Sequence, residues 1–419
     1  MTDCWNRRGY LGAVGGTALS VSAGCLTTDT DDRAESRPRL SERTLRYGIV
    51  LPLSGELEQA GQALLNGVTL PAAELDAASA EIDLEHEVAD SETSPVSAVD
   101  AAGALIDDGV PAIVGAAASD VTLQMIQRAT IPSDVVSCSP ASTTPTLSIV
   151  NDRGYSFRTA PVDSLQAVIA ARLAVAEHGA STAATLYTSG DYGRQLSGAF
   201  SASFDGEIQR QVSFASGSGN DGYAEPLETA LADDPDVLFL ISYPESGVPL
   251  LEEYYADHAG DETLFVSDGL QNEAVLEGVG DRIDAYGTAP TSSGPGQAEF
   301  QSLYREEYDA DPGLFAANCY DAAASVLLAN AAAGENDGPA IADRMREVTT
   351  GEGTEILPGD LADGIERAAA GEPVHYRGAA GEIEFDENGD GGSVEYEYFT
   401  FADEAIEVLD ELTPTEVSP

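Results

Sequence analysis

The sequence predicts an α/β protein built of two doubly wound parallel-sheet units. Three observations carry that prediction. Short apolar runs alternate with amphipathic stretches in two successive series, over 45–138 and 165–266, and such alternation places helices on both faces of a parallel sheet. Long helical stretches at 299–308, 316–333 and 341–348 have no strands of their own, so they need an existing sheet to pack on. Clusters of small polar residues recur just after the strand candidates, where open parallel sheets hold ligands.

In the first series, 45–53 (LRYGIVLPL) reads as a buried strand, followed by helical spacing over 61–78. Residues 82–89 alternate like a strand, and 96–107 are helical. A short strand at 112–114, a helix at 121–129 and a strand at 135–138 complete it. The second series gives helices at 165–178, 194–204, 223–232 and 250–259. Its strands fall at 183–187, 208–214, 237–241 (VLFLI) and 264–266. Near the C-terminus, 381–385 and 394–401 alternate apolar and polar, as the two arms of a hairpin do.

The 419 residues contain 19 Lys+Arg and 73 Asp+Glu, a net charge of −54, and every basic residue is Arg. Hydrophobic residues make up 43%, enough for packed cores in the two or three domains this length suggests. The charge excludes a nucleic-acid binder that works by neutralising phosphates. It also disfavours docking on anionic lipid. So large an excess repels itself in dilute buffer. At 1 M salt the Debye length falls to about 3 Å, so the composition points to a halophile.

The first 25 residues read as an address. Arg7 and Arg8 precede a weakly apolar stretch over 11–23, too short to span a bilayer. This is the layout of an export signal, and the paired arginines resemble a Tat signal. Ser22-Ala23-Gly24-Cys25 looks like a lipobox, which would make Cys25 the lipidated first residue. An ordinary cleaved signal is the alternative. Residues 26–44 are polar and read as a tether. Cys138 and Cys319 are left for the folded part, as one disulfide or as two buried thiols.

Several motifs bear on chemistry. Residues 217–222 (GSGNDG) satisfy G-x-G-x-x-G, but in a Gly-rich chain a plain β–α loop is the better reading. Residues 386–397 fit the calcium-loop pattern from Asp386 to Glu397. Flanks that alternate like strands, and Asn388-Gly389 as a turn signal, favour a turn. His86, His178, His258 and His375 are scattered. Neither a nucleophile elbow nor a Walker A loop occurs. No catalytic residue, metal or cofactor is expected.

What remains are the strand-end clusters. Val114 to Ser119 and Ser137 to Thr144 end strands of the first unit. Hydroxyls and helix N-termini there favour an anion such as a carboxylate. Tyr187 to Gly193, Ser242 to Glu245 and Ser267 to Gly269 do so in the second. Hydroxyls facing a set of tyrosines and carboxylates suit a zwitterion.

On these residues the chain resembles the branched-chain amino acid-binding proteins of ABC transporters, the type I periplasmic-binding-protein family. The resemblance runs from Arg46 to Ala402. It is carried by Gly48-Ile49-Val50-Leu51-Pro52-Leu53-Ser54-Gly55, Ile113-Val114-Gly115 to Ser119, and Ser139-Pro140-Ala141-Ser142-Thr143. Phe157-Arg158-Thr159, Asp191-Tyr192-Gly193 and the turn from Gly381 to Asp390 continue it in order.

The resemblance implies two lobes joined by a three-segment hinge, with solute bound between them by hinge closure. The expected boundaries are 1–25 signal, 26–44 linker, 45–160 with 289–390 as lobe 1, 161–288 with 391–412 as lobe 2, and 413–419 as tail. By position, Ser119, Ser142 and Thr143 would hold an α-carboxylate, and Asp268 would pair with the α-ammonium. Tyr192 and Tyr243 would line the cleft. Ala60 stands where some members carry an aromatic residue. Relatives of this fold take amides, urea or aromatic acids instead of amino acids. The implied role is a monomeric, lipid-anchored receptor outside the cell that docks on membrane permease subunits. A sensory binding protein and a secreted α/β hydrolase are the alternatives.

Overall fold

The computed structural model describes residues 40–217, 222–392, 395–402 and 405–413. The signal, Cys25, most of the tether and positions 218–221 of the glycine-rich stretch lie outside the described residues.

Five parallel strands form the first sheet: β1 (Thr44–Leu51), β2 (Asp83–Asp90), β3 (Ala112–Gly115), β4 (Val136–Ser139) and β5 (Ser156–Arg158). Their spatial order is β2-β1-β3-β4-β5. Central β3 and β4 are buried throughout, as parallel strands covered on both faces must be. Edge strand β2 is largely exposed. Helices α1 (Glu58–Ala77), α2 (Pro95–Asp107) and α3 (Ser119–Met125) connect the strands. Ser94 caps α2 by accepting from the Ser97 N–H, with Pro95 in the first turn. The helix expected over 121–129 stops at Met125 and continues as a π-turn over Ile126–Thr130. Pro132 lies just beyond and cannot donate into a continuing helix.

The second sheet holds β6 (Thr182–Thr188), β7 (Glu207–Phe214), β8 (Val237–Ile241), β9 (Thr263–Val266) and β10 (Tyr286–Thr291). Helices α4 (Asp163–Ala176), α5 (Asp191–Ser203), α6 (Ala224–Leu231), α7 (Pro244–Glu253) and α8 (Glu273–Val279) cover it. The chain then leaves this sheet for α9 (Gln297–Tyr308), α10 (Ala316–Ala333), α11 (Gly338–Thr350), β11 (Thr354–Ile356), α12 (Leu361–Ala370) and β12 (Val374–Tyr376). Side chains of α9 to α12 join the core of the first sheet. Helix α10 is buried from Ala316 to Ala331, as its apolar periphery requires. The last two strands, β13 (Glu395–Ala402) and β14 (Ala405–Leu412), return to the second sheet. Its order is β14-β13-β10-β9-β8-β6-β7, with β13 antiparallel to β10 and β14.

The chain thus passes between the sheets after β5, after β10 and before β13. Two apolar clusters flank the first sheet and two flank the second, the doubly wound arrangement expected from the sequence. Both sheets place the strand that follows the first crossover helix at one side and later strands at the other. This creates a topological switch point in each.

The terminal hairpin differs from expectation. Residues 381–385 form no strand; Ile383 and Phe385 alternate inward only to join the first core. The hairpin is β13 with β14, whose exposed, acidic pattern hid it. Cys138 and Cys319 are both buried and free. Within the 386–397 segment, Asp386 to Asp390 form a turn, and Glu395 to Glu397 belong to β13. Asp386 accepts from the N–H groups of Asn388 and Asp390, Asp390 pairs with Arg158, and Glu397 sits on the other sheet, bonded to Gln271.

Candidate functional site

The carboxyl ends of both sheets face one cleft of about 560 Å³. From the first sheet come the segment after β1 (Glu56, Leu57, Ala60), Ala117 and Ser119 after β3, and Ala141 and Thr143 after β4. From the second come Tyr192 after β6, Tyr243 after β8, and Asp268 and Gln271 after β9. Glu397 of β13 and the loop Asp311 to Phe315 close one side.

Each position has a local cause. Gly115 ends β3 at φ 144°, and a Cβ there would meet the Val50 carbonyl at 2.1 Å. Only glycine lets the chain turn so tightly against β1 and aim the next residues at the cleft. Ser119 then begins α3, and Thr143 follows the turn in which the Ser139 hydroxyl accepts from the Ser142 N–H. Ser142 itself is fully buried and faces the lobe interior. Its hydroxyl is shared with Thr122 and donates to the Ala117 carbonyl at 2.8 Å. Of the three expected carboxylate contacts, Ser119 and Thr143 line the cleft, and Ser142 braces the wall behind them.

The opposite wall is aromatic and acidic. Tyr192 and Tyr243 stack with ring centres 5.1 Å apart. The Tyr192 hydroxyl donates to Asp268 at 2.6 Å. Asp268 is 4% exposed, and burial raises its pKa; Tyr192, Gln166 and the Gly269 N–H offset part of that cost. Burial pushes both tyrosines well above the usual phenol range.

Asp163, which sequence reasoning missed, belongs to this group. It begins α4, directly after the first passage between sheets. It is 1% exposed, its N–H donates to the Thr143 carbonyl at 2.8 Å, and the nearby Thr143 hydroxyl offsets part of the cost of burying its carboxyl. Burial, then the neighbouring Asp268, push its pKa well up. An acid in a first helical turn is ordinary helix-dipole chemistry, so the sequence offered no signal to separate Asp163 from the other acids. The Asp268 carboxyl at the cleft thus has a second buried carboxyl within electrostatic reach, and a cation held at Asp268 would relieve both.

The lobes touch around the cleft. The Ser246 hydroxyl donates to Glu56 at 2.8 Å, the Gln195 side-chain amide to the Thr146 hydroxyl at 3.0 Å, and the Thr144 hydroxyl to Asp191. Behind the passage sits Arg158, 1% exposed. Its Nε bonds Asp390 at 2.6 Å, and its other nitrogens reach the Thr144 carbonyl and the Ser148 hydroxyl, each at 2.7 Å. One guanidinium therefore ties the first passage to the turn that precedes the third.

The profile of the periplasmic binding protein family matches residues 44–376. The chain belongs to this family. It is 28% identical over 309 residues to the chemotactic signal transduction system substrate-binding protein BasB of Halobacterium salinarum, covering 72% of this chain and 73% of that one. It is 26% identical over 320 residues to the Leu/Ile/Val-binding protein BraC3 of Rhizobium johnstonii, covering 74% and 85%. The crystal structure of a leucine binding protein LivK from Thermotoga maritima superposes with a TM-score of 0.73 at 22% identity, covering 89% of this chain and 99% of that one. That likeness shows the fold. All three are named as binding proteins.

Proposed function

We propose that the chain is an extracytoplasmic solute-binding receptor of an ABC importer. It takes a branched-chain amino acid, or a similar small amino acid or amide, into the cleft between its lobes. One observation carries the reading: Ser119 and Thr143 on one wall of the cleft stand across from the buried acid Asp268 on the other. The first set suits a carboxylate and the second an ammonium, a spacing of opposite needs that fits a zwitterion. Tyr192 and Tyr243 would cover the solute from lobe 2. Contacts from both lobes mean that solute favours the closed form by its differential affinity. No residue set for catalysis is needed, and the reading assigns no enzyme activity.

The reading includes export, a lipid anchor at Cys25 and docking of the closed form, as a monomer, on permease subunits. The relative named for chemotactic signal transduction favours a second reading, in which the same closed form is presented to a sensory partner.

The test is a thermal-shift screen of amino acids and amides in molar KCl, followed by calorimetry on the hits. An amino acid is expected to raise the melting temperature by several degrees, and Asp268→Asn to abolish the shift. If no amino acid or amide stabilises the protein, or if the variant binds as tightly as the original, the reading fails. Permease and ATPase genes adjoining the coding sequence would favour import over sensing.

A further inference from the structure

A second pocket of about 210 Å³ opens from the cleft, and Gln271, Glu397 and the loop from Pro312 to Phe315 form the shared boundary. Gln301 lines its far side.

Glu397 is out of place by the logic of its strand. On β13, side chains two apart share a face. Phe399 and Phe401 on that face lie in an apolar core together with Ala289, which pairs with Glu397 across β10. Glu397 extends this stripe to the cleft end of the strand with a half-buried carboxylate. Burial raises its pKa, and nearby Glu411 adds to the rise. Its side-chain partner is the Gln271 amide, and no Arg pairs with it among the described residues. A half-buried acid without a cation is costly, and it faces a space that leads to the solute cleft.

Gln271 also sets the reach. It follows the 3-10 turn Asp268–Leu270, and three residues of such a turn advance about 6 Å. A solute whose α-ammonium meets Asp268 thus has room for a side chain that runs toward Gln271 and Glu397. On the other side, Phe315 holds a left-handed backbone at φ 63°, rare for a bulky residue and typical of ligand clamps. Its ring lines both spaces.

We propose that Glu397 and Gln271 form a distal subsite that selects amino acids whose side chains end in a nitrogen donor, a guanidinium or ammonium foremost. The Glu397 carboxylate accepts from that group, the Gln271 carbonyl offers a second acceptor, and Phe315 covers the methylene chain between. This rests on the receptor reading above, keeps its amino acid solute, and moves the preferred side chain from a branched apolar one to a longer one that ends in nitrogen.

The test is calorimetry with L-leucine, L-glutamine, L-lysine and L-arginine on the full chain in molar KCl, repeated with Glu397→Gln. The expected result is that lysine or arginine binds at least tenfold tighter than leucine, because a charge-assisted hydrogen bond in a half-buried site carries that much. Glu397→Gln should remove the preference, so that lysine and arginine bind no tighter than leucine. An unchanged melting temperature without solute shows that the variant is folded. Leucine as the tightest ligand, or an equal loss for all four in the variant, overturns the subsite alone. Absence of binding by all four overturns the receptor reading beneath it.

Discussion

If the solute's ammonium pairs with Asp268 and relieves Asp163 behind it, solute affinity must fall with pH in a calculable way. In the free protein burial raises both pKa values, and the Asp268 charge adds to the rise at Asp163, so both carboxyls hold their protons to higher pH than exposed ones do. The bound ammonium needs both carboxylates charged, which lowers their pKa values in the complex. Binding therefore releases protons, and Kd rises as pH falls through the free-state values. One proton released gives a tenfold rise per pH unit, about 1.4 kcal/mol, and two released give up to a hundredfold. The pair titrates as a unit, so the slope reports their sum. Calorimetry at pH 5, 6, 7 and 8, in two buffers of different ionisation heat, counts the protons directly. Asp268→Asn should weaken binding at pH 8 by about 1.5–3 kcal/mol, the worth of a hydrogen bond to a charged group, and leave at most one proton released. A solute with a carboxylate and no ammonium has the opposite sign, binding tighter as pH falls. A Kd that is flat from pH 5 to 8 with no proton released would refute the ammonium pairing.

Three further outcomes follow from the same geometry. Arg158→Met should cost about 3–5 kcal/mol in denaturant unfolding, because it strands the Asp390 carboxylate and the Thr144 carbonyl; a loss below about 1 kcal/mol would show that the guanidinium braces nothing. Buried Asp321 accepts from the Tyr376 hydroxyl and the Ala379 and Ala380 N–H groups, and burial pushes its pKa from 3.8 up to about 6. A raised folded-state pKa gives stability that is whole below pH 3.8 and is lost as pH rises through about 6, on the order of 3 kcal/mol; melting curves of the wild type against Asp321→Asn should therefore diverge between pH 4 and 7, and a constant gap would disprove it. With a net charge of −54, circular dichroism should show the melting temperature climbing as KCl goes from 0.1 to 2 M, since the Debye length shrinks from about 10 Å to about 3 Å or less; a salt-independent melting curve would remove the case for salt adaptation.

Much of the fold was legible because buried parallel strands leave an unambiguous trace. Residues 237–241 read as a strand, and β8 occupies those positions. The runs behind β1, β3 and β4 were found within one or two residues. Strands that are short or wet left no such trace. Ser156–Arg158 has three residues, and β14 exposes most of its length, so neither has enough buried apolar positions to stand out. The stretch at 381–385 erred the other way, since alternate burial without a ladder mimics a strand.

The sequence by itself determined the fold class, the strongly acidic charge and the loops that bear the candidate site. Apolar periodicity, composition and strand-end polarity are local properties, written residue by residue. Tertiary structure alone decided which side chains on those loops face the cleft. Ser142 and Thr143 are neighbours of similar chemistry, yet the first turns to Ala117 and the second to the solute space. Among 73 acids, nothing local in the sequence separates Asp163 and Glu397; burial does, complete for the first and partial for the second. Burial is a property of what packs around a residue. For Asp163 that is a lobe passage meeting the second sheet, and for Glu397 a strand that returns more than a hundred residues after β10 has left its sheet.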